Sequence, residues 1–476
     1  MSKKLSTLTK LGYSTASIGD AATYGLFNSY LMFFLTTIAG IDPAIAGLIA
    51  ALGAIWDSLW SPIIGFFSDN SKSKHGRRRP FIFIAAFPMA LTSCFAFTTF
   101  DVTPTFKVFY YLFMVLLFWF SFASFFIPYL ALGAEITDDY DERTELRSFA
   151  YIFGIVGMVV GMVLPTVIVD LLINYGNTPQ LSWQVTGAIV GTISFISILI
   201  TWKTTKGKEL IFDKDVQSSS NEVGSKKAVL IELVKGYYNV LKLKPLRLVL
   251  GISIFYLLAH AMHTADRMYY FTYNMGLTAG QISGMMLLIT CAGAFLMPLI
   301  LKLAKKFDKR TVLIFGFATG AVLITSMRFI GIDSILSLSI FAMFFAISNT
   351  CYWQLAPAII YDVCELDELI SGKRREGTVV SLLSLSEALS SAISMQVLGL
   401  ILKFSGFNGD APMQTATSLF WTSNCFTVIP AIFIIIALIM AIRYPIGKKQ
   451  FNIILALVEQ KREGEQIDTS PIDHLL

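Results

Sequence analysis

The chain has 476 residues, of which 55% are hydrophobic and only 14% are charged. A water-soluble protein of this length could not cover so apolar a core, and its surface would carry patches large enough to cause aggregation. The formal net charge of +5 does not indicate a nucleic-acid partner, because the basic residues concentrate in alternate loops of a predicted integral membrane protein.

Apolar stretches long enough to cross the membrane recur along the chain. A helix of about 20 residues crosses about 30 Å of hydrocarbon, and about twelve such stretches are present. We therefore predict an all-α membrane protein. Its spans are predicted at residues 12–40, 43–67, 80–100, 105–134, 147–174, 181–202, 246–275, 280–303, 311–331, 335–360, 377–404 and 418–442.

The N-terminal region and the cysteines bear on processing and on metal binding. The N-terminal region has no short apolar core followed by a small-residue cleavage site, so we predict no removable signal peptide. The five cysteines are scattered singly, which predicts neither a disulfide framework nor a metal cluster. No cofactor is expected.

Basic residues lie in alternate loops. The loop after the second span has five between Lys72 and Arg79, and the stretch from Lys203 to Arg247 is rich in lysine. The opposite loops are nearly free of them, with Lys107 and Lys403 as the main exceptions. Because lysine and arginine stay on the cytoplasmic side, this pattern places both termini on the cytoplasmic side of the membrane.

The first span carries a polar stripe. Asp20, Tyr24 and Asn28 follow one another at one-turn spacing. A charge in hydrocarbon costs at least about 2.5–3.5 kcal/mol, so each one needs a reason. A carboxylate beside an aromatic ring is a common way to hold a sugar. A structural ion pair near the inner leaflet is the alternative for Asp20.

The second span carries a carboxylate about midway. Asp57 has Ser61 one turn further on the same face. Asp57 could bind the coupling cation or proton, or it could make a structural hydrogen bond to a neighbouring helix. Sodium prefers several hard oxygen ligands, and one carboxylate with one hydroxyl is a poorer cage. Asp57 is therefore a metal ligand only if the coupling ion is sodium, and its protonation is the simpler chemistry.

A long polar segment and a faint repeat divide the spans six and six. The fourth span ends in "IPYLALGAEITDDYDERTELRS" and the tenth in "QLAPAIIYDVCELDELISGKRREGT". Each has a proline, then acidic residues, then arginine. We predict bundles at 1–203 and 246–445, a cytoplasmic linker at 204–245 and a cytoplasmic tail at 446–476. Two such halves, with a site near the membrane midplane, are the layout of major-facilitator transporters.

The seventh span concentrates ionisable residues. His260, His263 and Arg267 lie on one helix face, with Asp266 beside them. Histidine titrates near physiological pH, which suits a proton relay, and Arg267 could hold a substrate carboxylate. The alternative is that Asp266 and Arg267 only cap the helix or pair locally near the outer end.

Two later spans each add one candidate. Trp353, which shares a face with Asn349, could stack on a sugar ring, or it could pack against lipid or core. Glu387 lies about midway through the eleventh span with no basic residue nearby in that span. It could take part in coupling or make a structural bond.

Several stretches carry a resemblance to a known family. These are "LGYSTASIGDAATYGLFNSYLMFFL", "WDSLWSPIIGFFSDNSKSKHGRRRPFI", "MYYFTYNMG", "GKRREGT" and the tail "GKKQFNIILALVEQKREGE". Together they resemble the glycoside–pentoside–hexuronide:cation symporter family, and the similarity covers most of the chain. The resemblance implies a major facilitator fold with two six-helix bundles and a short amphipathic C-terminal helix.

The resemblance also implies roles for single residues. Asp57 matches the family's cation-binding carboxylate, and Asp20 matches its sugar-binding carboxylate. Ser61 and Phe126 stand where melibiose permease, a family member, has further carboxylates, and Ala388 stands where the family usually has lysine. These departures put sodium coupling and galactoside recognition in doubt.

The loop after the second span has a role in this superfamily as well. Asp69, at the helix end, can form inter-helix ion pairs with Arg77 and Arg78 that hold a gate closed. The arginines alone would also satisfy the charge rule for cytoplasmic loops. Both interpretations can hold together.

We predict a secondary active transporter that carries a glycoside or related sugar, hexuronides included, by cation- or proton-coupled symport. The predicted coupling residues are Asp57, Ser61, Glu387 and His263, and the predicted substrate-binding residues are Asp20, Tyr24, Asn28, Arg267 and Trp353. The expected partners are the sugar, the coupling ion H⁺ or Na⁺ and the lipid bilayer. No nucleic-acid partner is expected, and the protein is predicted to be a monomer. A lipid-moving or sensory protein on the same fold is the alternative. An enzyme is not expected, since no metal-ligand spacing or nucleophile motif is present.

Overall fold

A computed structural model describes residues 5–71, 73, 76–137, 139–207, 240–372 and 375–462. All regular secondary structure in these residues is helical. In chain order the helices are α1 Thr7–Phe33, α2 Pro43–Asp69, α3 Arg79–Phe95, α4 Pro104–Glu135, α5 Tyr140–Met162, α6 Leu164–Asn174, α7 Pro179–Thr204, α8 Lys244–Tyr269, α9 Ala279–Phe307, α10 Lys309–Ile330, α11 Ile335–Ser371, α12 Glu376–Phe404, α13 Ala416–Phe426, α14 Val428–Arg443 and α15 Lys448–Arg462. Short π-helical segments, Phe34–Ile38 and Tyr270–Asn274, extend α1 and α8.

These helices make twelve passes in the described residues, because α5 and α6 form one pass and α13 and α14 another. Ten of the passes are long and apolar enough to cross a membrane, and Arg79–Phe95 is a shorter apolar helix. The remaining pass begins with α1, whose polar stripe lowers its hydropathy. The prediction of an all-α membrane protein is confirmed.

Helix ends differ from the predicted spans mainly on the side of the termini. The tenth pass continues to Ser371 rather than 360, and the fifth begins at Tyr140 rather than 147. The reason is physical: polarity marks where hydrocarbon ends, whereas a helix continues until a cap stops it. Gly372, with φ +66°, caps α11 in the left-handed conformation.

Helices on the side opposite the termini, called here the distal side, begin with a shared motif. Asp42, Thr103 and Thr178 each accept backbone N–H hydrogen bonds through the side chain, and each is followed by proline. Proline at the first helical position loses no helical hydrogen bond, and the caps satisfy free N–H groups. These starts fix the entries of α2, α4 and α7.

The chain divides into two compact units. The first contains Met1–Lys214, Met262–Cys291 and Ser391–Phe426. In it α1 packs against α5 and α7, and α4 packs against α2 and α3. Gly157 and Gly161 make the close approach of α5 to α1 possible, because a Cβ atom on either would clash with a carbonyl oxygen of α1.

The second unit contains Asp215–Ala261, Ala292–Ser390 and Thr427–Leu476. In it α10 packs against α11 and α14, and the amphipathic helix α15 packs against α11. Ile454, Leu457 and Val458 form the buried face of α15. Nζ of Lys461 donates a hydrogen bond of 2.5 Å to the carbonyl oxygen of Leu369. Most of the predicted linker and the end of the predicted tail lie outside the described residues.

Candidate functional site

The polar stripe of α1 lies beside aromatic residues of α4. Asp20, Tyr24 and Asn28 are all partly exposed. The Tyr24 ring contacts Trp119 edge-on, with centroids 6.1 Å apart, and Phe122 at 5.9 Å. The stripe therefore presents a carboxylate, an amide and an aromatic ring side by side, as sugar binding requires.

Arg147 on α5 adds a cation to this stripe. Its guanidinium interacts electrostatically with both Asp20 and Tyr13. Among the described residues, no hydrogen-bond donor reaches Oδ1 of Asp20. Our reading of the sequence missed Arg147, because it lies at the edge of the predicted fifth span.

Asp57 lies beside the same helix, α4. Gly53, one turn earlier on α2, faces Trp119 so closely that a Cβ atom there would lie 2.7 Å from the Trp119 Cδ1. Trp60 packs edge-on against Phe120 at 4.8 Å. Trp119 thus contacts both Tyr24 and the turn of α2 that precedes Asp57.

Asp57 and Ser61 share one face of α2, as the sequence predicts, and the aromatic residue Phe126 lies on α4. Both Asp57 and Ser61 are partly exposed and one turn apart on α2. Phe126 stacks on Phe122 with centroids 5.6 Å apart. The position where melibiose permease has a carboxylate is therefore part of an aromatic wall next to Tyr24.

The loop after α2 holds an ion-pair network at the end of α4. Arg78 is 5% exposed, and its Nε donates to Glu135 at 2.9 Å while its Nη2 pairs with Asp69. Nη2 of Arg77 lies 2.5 Å from the same Glu135 oxygen. The structure thus brings the three predicted gate residues together around Glu135, which was not singled out from the sequence.

The corresponding region of the second half contains similar pairs. Nζ of Lys309, at the start of α10, donates to Asp362 of α11 at 2.6 Å. Nε of Arg375 donates to Asp367 at 2.9 Å. The acidic residues of the sequence repeat therefore pair in both halves with basic residues at neighbouring helix ends.

The ionisable residues of α8 are buried. Asp266 is 0% exposed, Arg267 is 3% exposed and His263 is also buried. Within the described residues, Asp266 and Arg267 form no ion pair, contrary to the local-pairing alternative. Nδ1 of His263 lies 3.1 Å from the carbonyl oxygen of Phe426.

Trp353 and Glu387 both lie near Tyr352 in the second unit. Trp353 is 39% exposed and meets Tyr352 and His260 edge-on, at 5.4 and 6.2 Å. Glu387 is exposed and interacts electrostatically with Tyr352. The Tyr256 hydroxyl donates to Oδ1 of Asn349 at 2.9 Å. This is a polar aromatic cluster with an accessible tryptophan.

No group of three His, Cys, Asp or Glu side chains within the described ranges is placed to hold a metal ion. The polar groups instead form a stripe and an aromatic cluster inside membrane-length helices. Accessible polar groups within such helices mark substrate or ion pathways. The fold and these groups together define a helical membrane transport protein.

The comparison with protein families agrees with that class. The family described as "MFS/sugar transport protein" matches residues 12–448, and the chain belongs to this family. The resemblance to the glycoside–pentoside–hexuronide:cation symporters is thereby confirmed, as is the major facilitator fold.

Similar proteins extend over nearly the whole chain. An uncharacterised symporter of Synechocystis is 27% identical over 98% of this chain and 99% of its own length. The glucuronide carrier protein homologue of Escherichia coli is 23% identical over 98% of both chains. In fold, the xylose transporter of Escherichia coli superposes with a TM-score of 0.64 at 13% identity, covering 94% of this chain and 98% of that one.

Proposed function

We propose that this chain is a proton-coupled symporter that carries a glycoside or a hexuronide by alternating access. The observation that carries the proposal is the α1 stripe, where one carboxylate oxygen of Asp20 receives no hydrogen bond from the described residues and Arg147 interacts with Asp20 electrostatically. Carboxylate and guanidinium groups hydrogen-bond to sugar hydroxyls, and aromatic rings pack against the apolar face of a pyranose. A polar stripe of this kind favours a hydrophilic cargo over a lipid.

We include hexuronides among the proposed substrates for two reasons. A guanidinium binds a carboxylate in two-point geometry, and Arg147 lies within electrostatic reach of the stripe. One relative over the whole length is named a glucuronide carrier homologue. We also assign substrate contacts to Asn28 and Trp353, and to Arg267 when the distal side opens.

Proton coupling is assigned to Asp57. Its partner one turn on is a hydroxyl, Ser61, rather than a second carboxylate. A single carboxylate can carry a proton, whereas sodium prefers several hard oxygens. Glu387 and His263 are assigned secondary roles in coupling, because Glu387 is accessible and His263 lies in the buried cluster of α8.

The remaining assignments follow from the loop charges and the repeat. We place both termini in the cytoplasm of a bacterial inner membrane. The rocking bundles are residues 1–203 and 246–445, connected by the linker 204–245 and followed by the tail 446–476. The protein acts as a monomer, without nucleic acid and without enzymatic activity. Asp69, Arg77 and Arg78 close the cytoplasmic gate through Glu135.

Uptake by proteoliposomes tests the proposal. A panel of glycosides and glucuronides is offered with either a pH gradient or a sodium gradient. An acidic exterior should drive accumulation of at least one of them, and a sodium gradient alone should not. Strict sodium dependence would overturn the assignment of the coupling ion.

The coupling residue is tested in the same vesicles. Asp57→Asn should abolish uphill accumulation while exchange of labelled for unlabelled sugar continues, because the neutral side chain no longer binds and releases a proton. Asp170→Asn on α6 is the matched control, as it removes a membrane carboxylate outside the proposed sites. Undiminished accumulation by Asp57→Asn would show that this residue does not couple transport.

A further inference from the structure

A buried carboxyl group on α8 is not used by the mechanism proposed above. Asp266 lies eight residues before Asn274, the distal end of the seventh pass, and is 0% exposed. Both of its carboxylate oxygens are buried, and no hydrogen-bond partner within the described part of the chain reaches either one. A carboxylate with no donor at all is rare in a protein interior, so it needs a physical explanation.

The adjacent cation does not neutralise it. Nη2 of Arg267 approaches the hydroxyl of Thr264 at 3.4 Å, and Nη1 approaches Sδ of Met286 at 3.9 Å. Nε of Arg267 has no hydrogen-bond partner among the described residues. The guanidinium thus points toward α9 and its own preceding turn rather than toward Asp266.

The neighbouring titratable groups supply no donor either. On α8 and its π-helical extension these are His263, Arg267 and Tyr269, and on α13 the neighbour is Cys425. The Tyr269 hydroxyl is engaged with Oγ1 of Thr36 at 2.6 Å. The hydroxyl of Tyr30 on α1 donates to the carbonyl oxygen of Met162. None of these groups donates a hydrogen bond to Asp266 in the described part of the chain.

Electrostatics then decides the charge of Asp266. An ionised carboxylate taken out of water without a partner or donors costs several kcal/mol even after relaxation of its surroundings. A neutral carboxyl costs much less, because its desolvation is comparable to that of an unpaired hydroxyl group. In this closed arrangement the neutral form of Asp266 is the cheaper one.

Asp266 lies beside a group of helix contacts on the distal side, inside the first unit. We define the distal seal by three contacts between helices of the two sequence halves: Thr36 with Tyr269 at 2.6 Å, Thr166 with Ser283 at 2.6 Å, and Gly47 against Gly399. Tyr269 is one helical turn from Asp266. If the distal seal opens, water reaches this turn and can solvate an ionised carboxylate.

We propose that Asp266 is a proton-binding site that makes closure of the distal seal depend on pH. As the seal closes, a carboxylate oxygen of Asp266 binds a proton from distal water, and as the seal opens the proton returns to the same side. The inference rests on the alternating access of the proposed function, but not on which substrate is carried. It is separate from Asp57, because this proton does not cross the membrane.

Infrared spectroscopy of the purified protein tests the protonation directly. The wild-type spectrum at neutral pH should contain a protonated-carboxyl band that is lost in Asp266→Asn and retained in Asp410→Asn. Asp410 is the control because it is an exposed distal carboxylate. An identical carboxyl region in wild type and Asp266→Asn would overturn the proposal, whatever the protein transports.

Distal accessibility tests the consequence. Ser283→Cys, in a chain whose five native cysteines are replaced, reports opening of the seal through alkylation by an impermeant maleimide. The alkylation rate is measured in the Ser283→Cys reporter without and with Asp266→Asn. Dividing the first rate by the second cancels the pH dependence of the thiol itself. This ratio should rise with pH by up to about tenfold per unit, the limit for one proton. A ratio independent of pH would overturn the switch.

These results can be interpreted even if the proposed function is wrong. Absence of sugar uptake with an intact infrared band would reject the substrate and retain the proton site. Proton-coupled sugar uptake without the infrared band would support the proposed function and reject the proton site at Asp266. Asp266→Asn keeps the shape of the side chain, and its thermal unfolding temperature relative to wild type establishes that the fold is intact.

Discussion

Gly47 on α2 and Gly399 on α12 meet so closely that a Cβ atom on Gly399 would lie 3.1 Å from the Cα atom of Gly47. The same Cβ atom would also clash with the carbonyl oxygen of Pro43. The two helices come from different halves of the sequence, so this crossing is part of the distal seal. Contact between helix backbones at small residues is how membrane helices pack most closely.

The first prediction concerns this crossing. Gly399→Leu should lower the rate of uptake at least tenfold, since about 1.4 kcal/mol against the closed state shifts its population tenfold and overpacking typically costs about 1–3 kcal/mol. Alkylation of the Ser283→Cys reporter should rise in parallel. Gly154→Leu is the control, because a Cβ atom at Gly154 meets nothing within 4 Å. Equal effects of both substitutions would contradict the assignment.

The second prediction concerns the ion pairs at the end of α4. Glu135→Gln leaves Arg78 buried with only Asp69 as a charged partner among the described residues, and removing one member of a buried pair costs about 3–5 kcal/mol. We expect a loss of that order in apparent stability, measured by denaturation in detergent. Asp69→Asn should cost less than about 1 kcal/mol, since the Asp69 side chain is 57% exposed. A reversed order would reject Glu135 as the centre of the network.

The third prediction concerns sugar binding. Asp20→Asn should weaken binding of the transported sugar about 10–100-fold, because hydrogen bonds to a charged group contribute about 1.5–3 kcal/mol. Tyr24→Phe keeps the ring against Trp119 and should weaken binding less. Isothermal titration with the purified protein measures both. Unchanged affinity in Asp20→Asn would remove this residue from the site.

The fourth prediction concerns the amphipathic helix α15. Val458→Asp places a carboxylate in the buried contact with α11 and should detach the helix, at a cost of about 3 kcal/mol or more. Ile453→Asp, on the exposed face of the same helix, should leave it in place. Limited proteolysis after residue 447 distinguishes the two variants. Equal protection of both would show that α15 is held by contacts other than its apolar face.

The sequence predicted the passes well because each signal is local. Twenty apolar residues must form a helix in hydrocarbon, where no water satisfies the backbone. The twelve passes therefore appear near their predicted positions. The exceptions, such as the extension of α11 to Ser371, occur where the helix leaves the apolar region and a cap rather than polarity ends it.

The candidate site was predicted unevenly for the same reason. Asp20, Asp57 and Glu387 stand out in a sequence because a charge in a membrane span is rare and costly. Arg147 and Glu135 did not stand out, because charges are ordinary at helix ends. Only packing reveals that Arg147 interacts electrostatically with Asp20 and that Glu135 pairs with Arg78.

Hydropathy and motifs were enough to establish the class of this protein: its helical passes through a membrane, its polar stripe and its family. Which charges are paired became known only from the packing of the helices. Asp266 and Arg267 are neighbours in sequence, and a local ion pair between them was a reasonable alternative. The structure instead directs the guanidinium away and leaves the carboxyl buried, with no donor among the residues that the structure describes. Pairing depends on side-chain direction and on neighbouring helices, neither of which sequence spacing specifies.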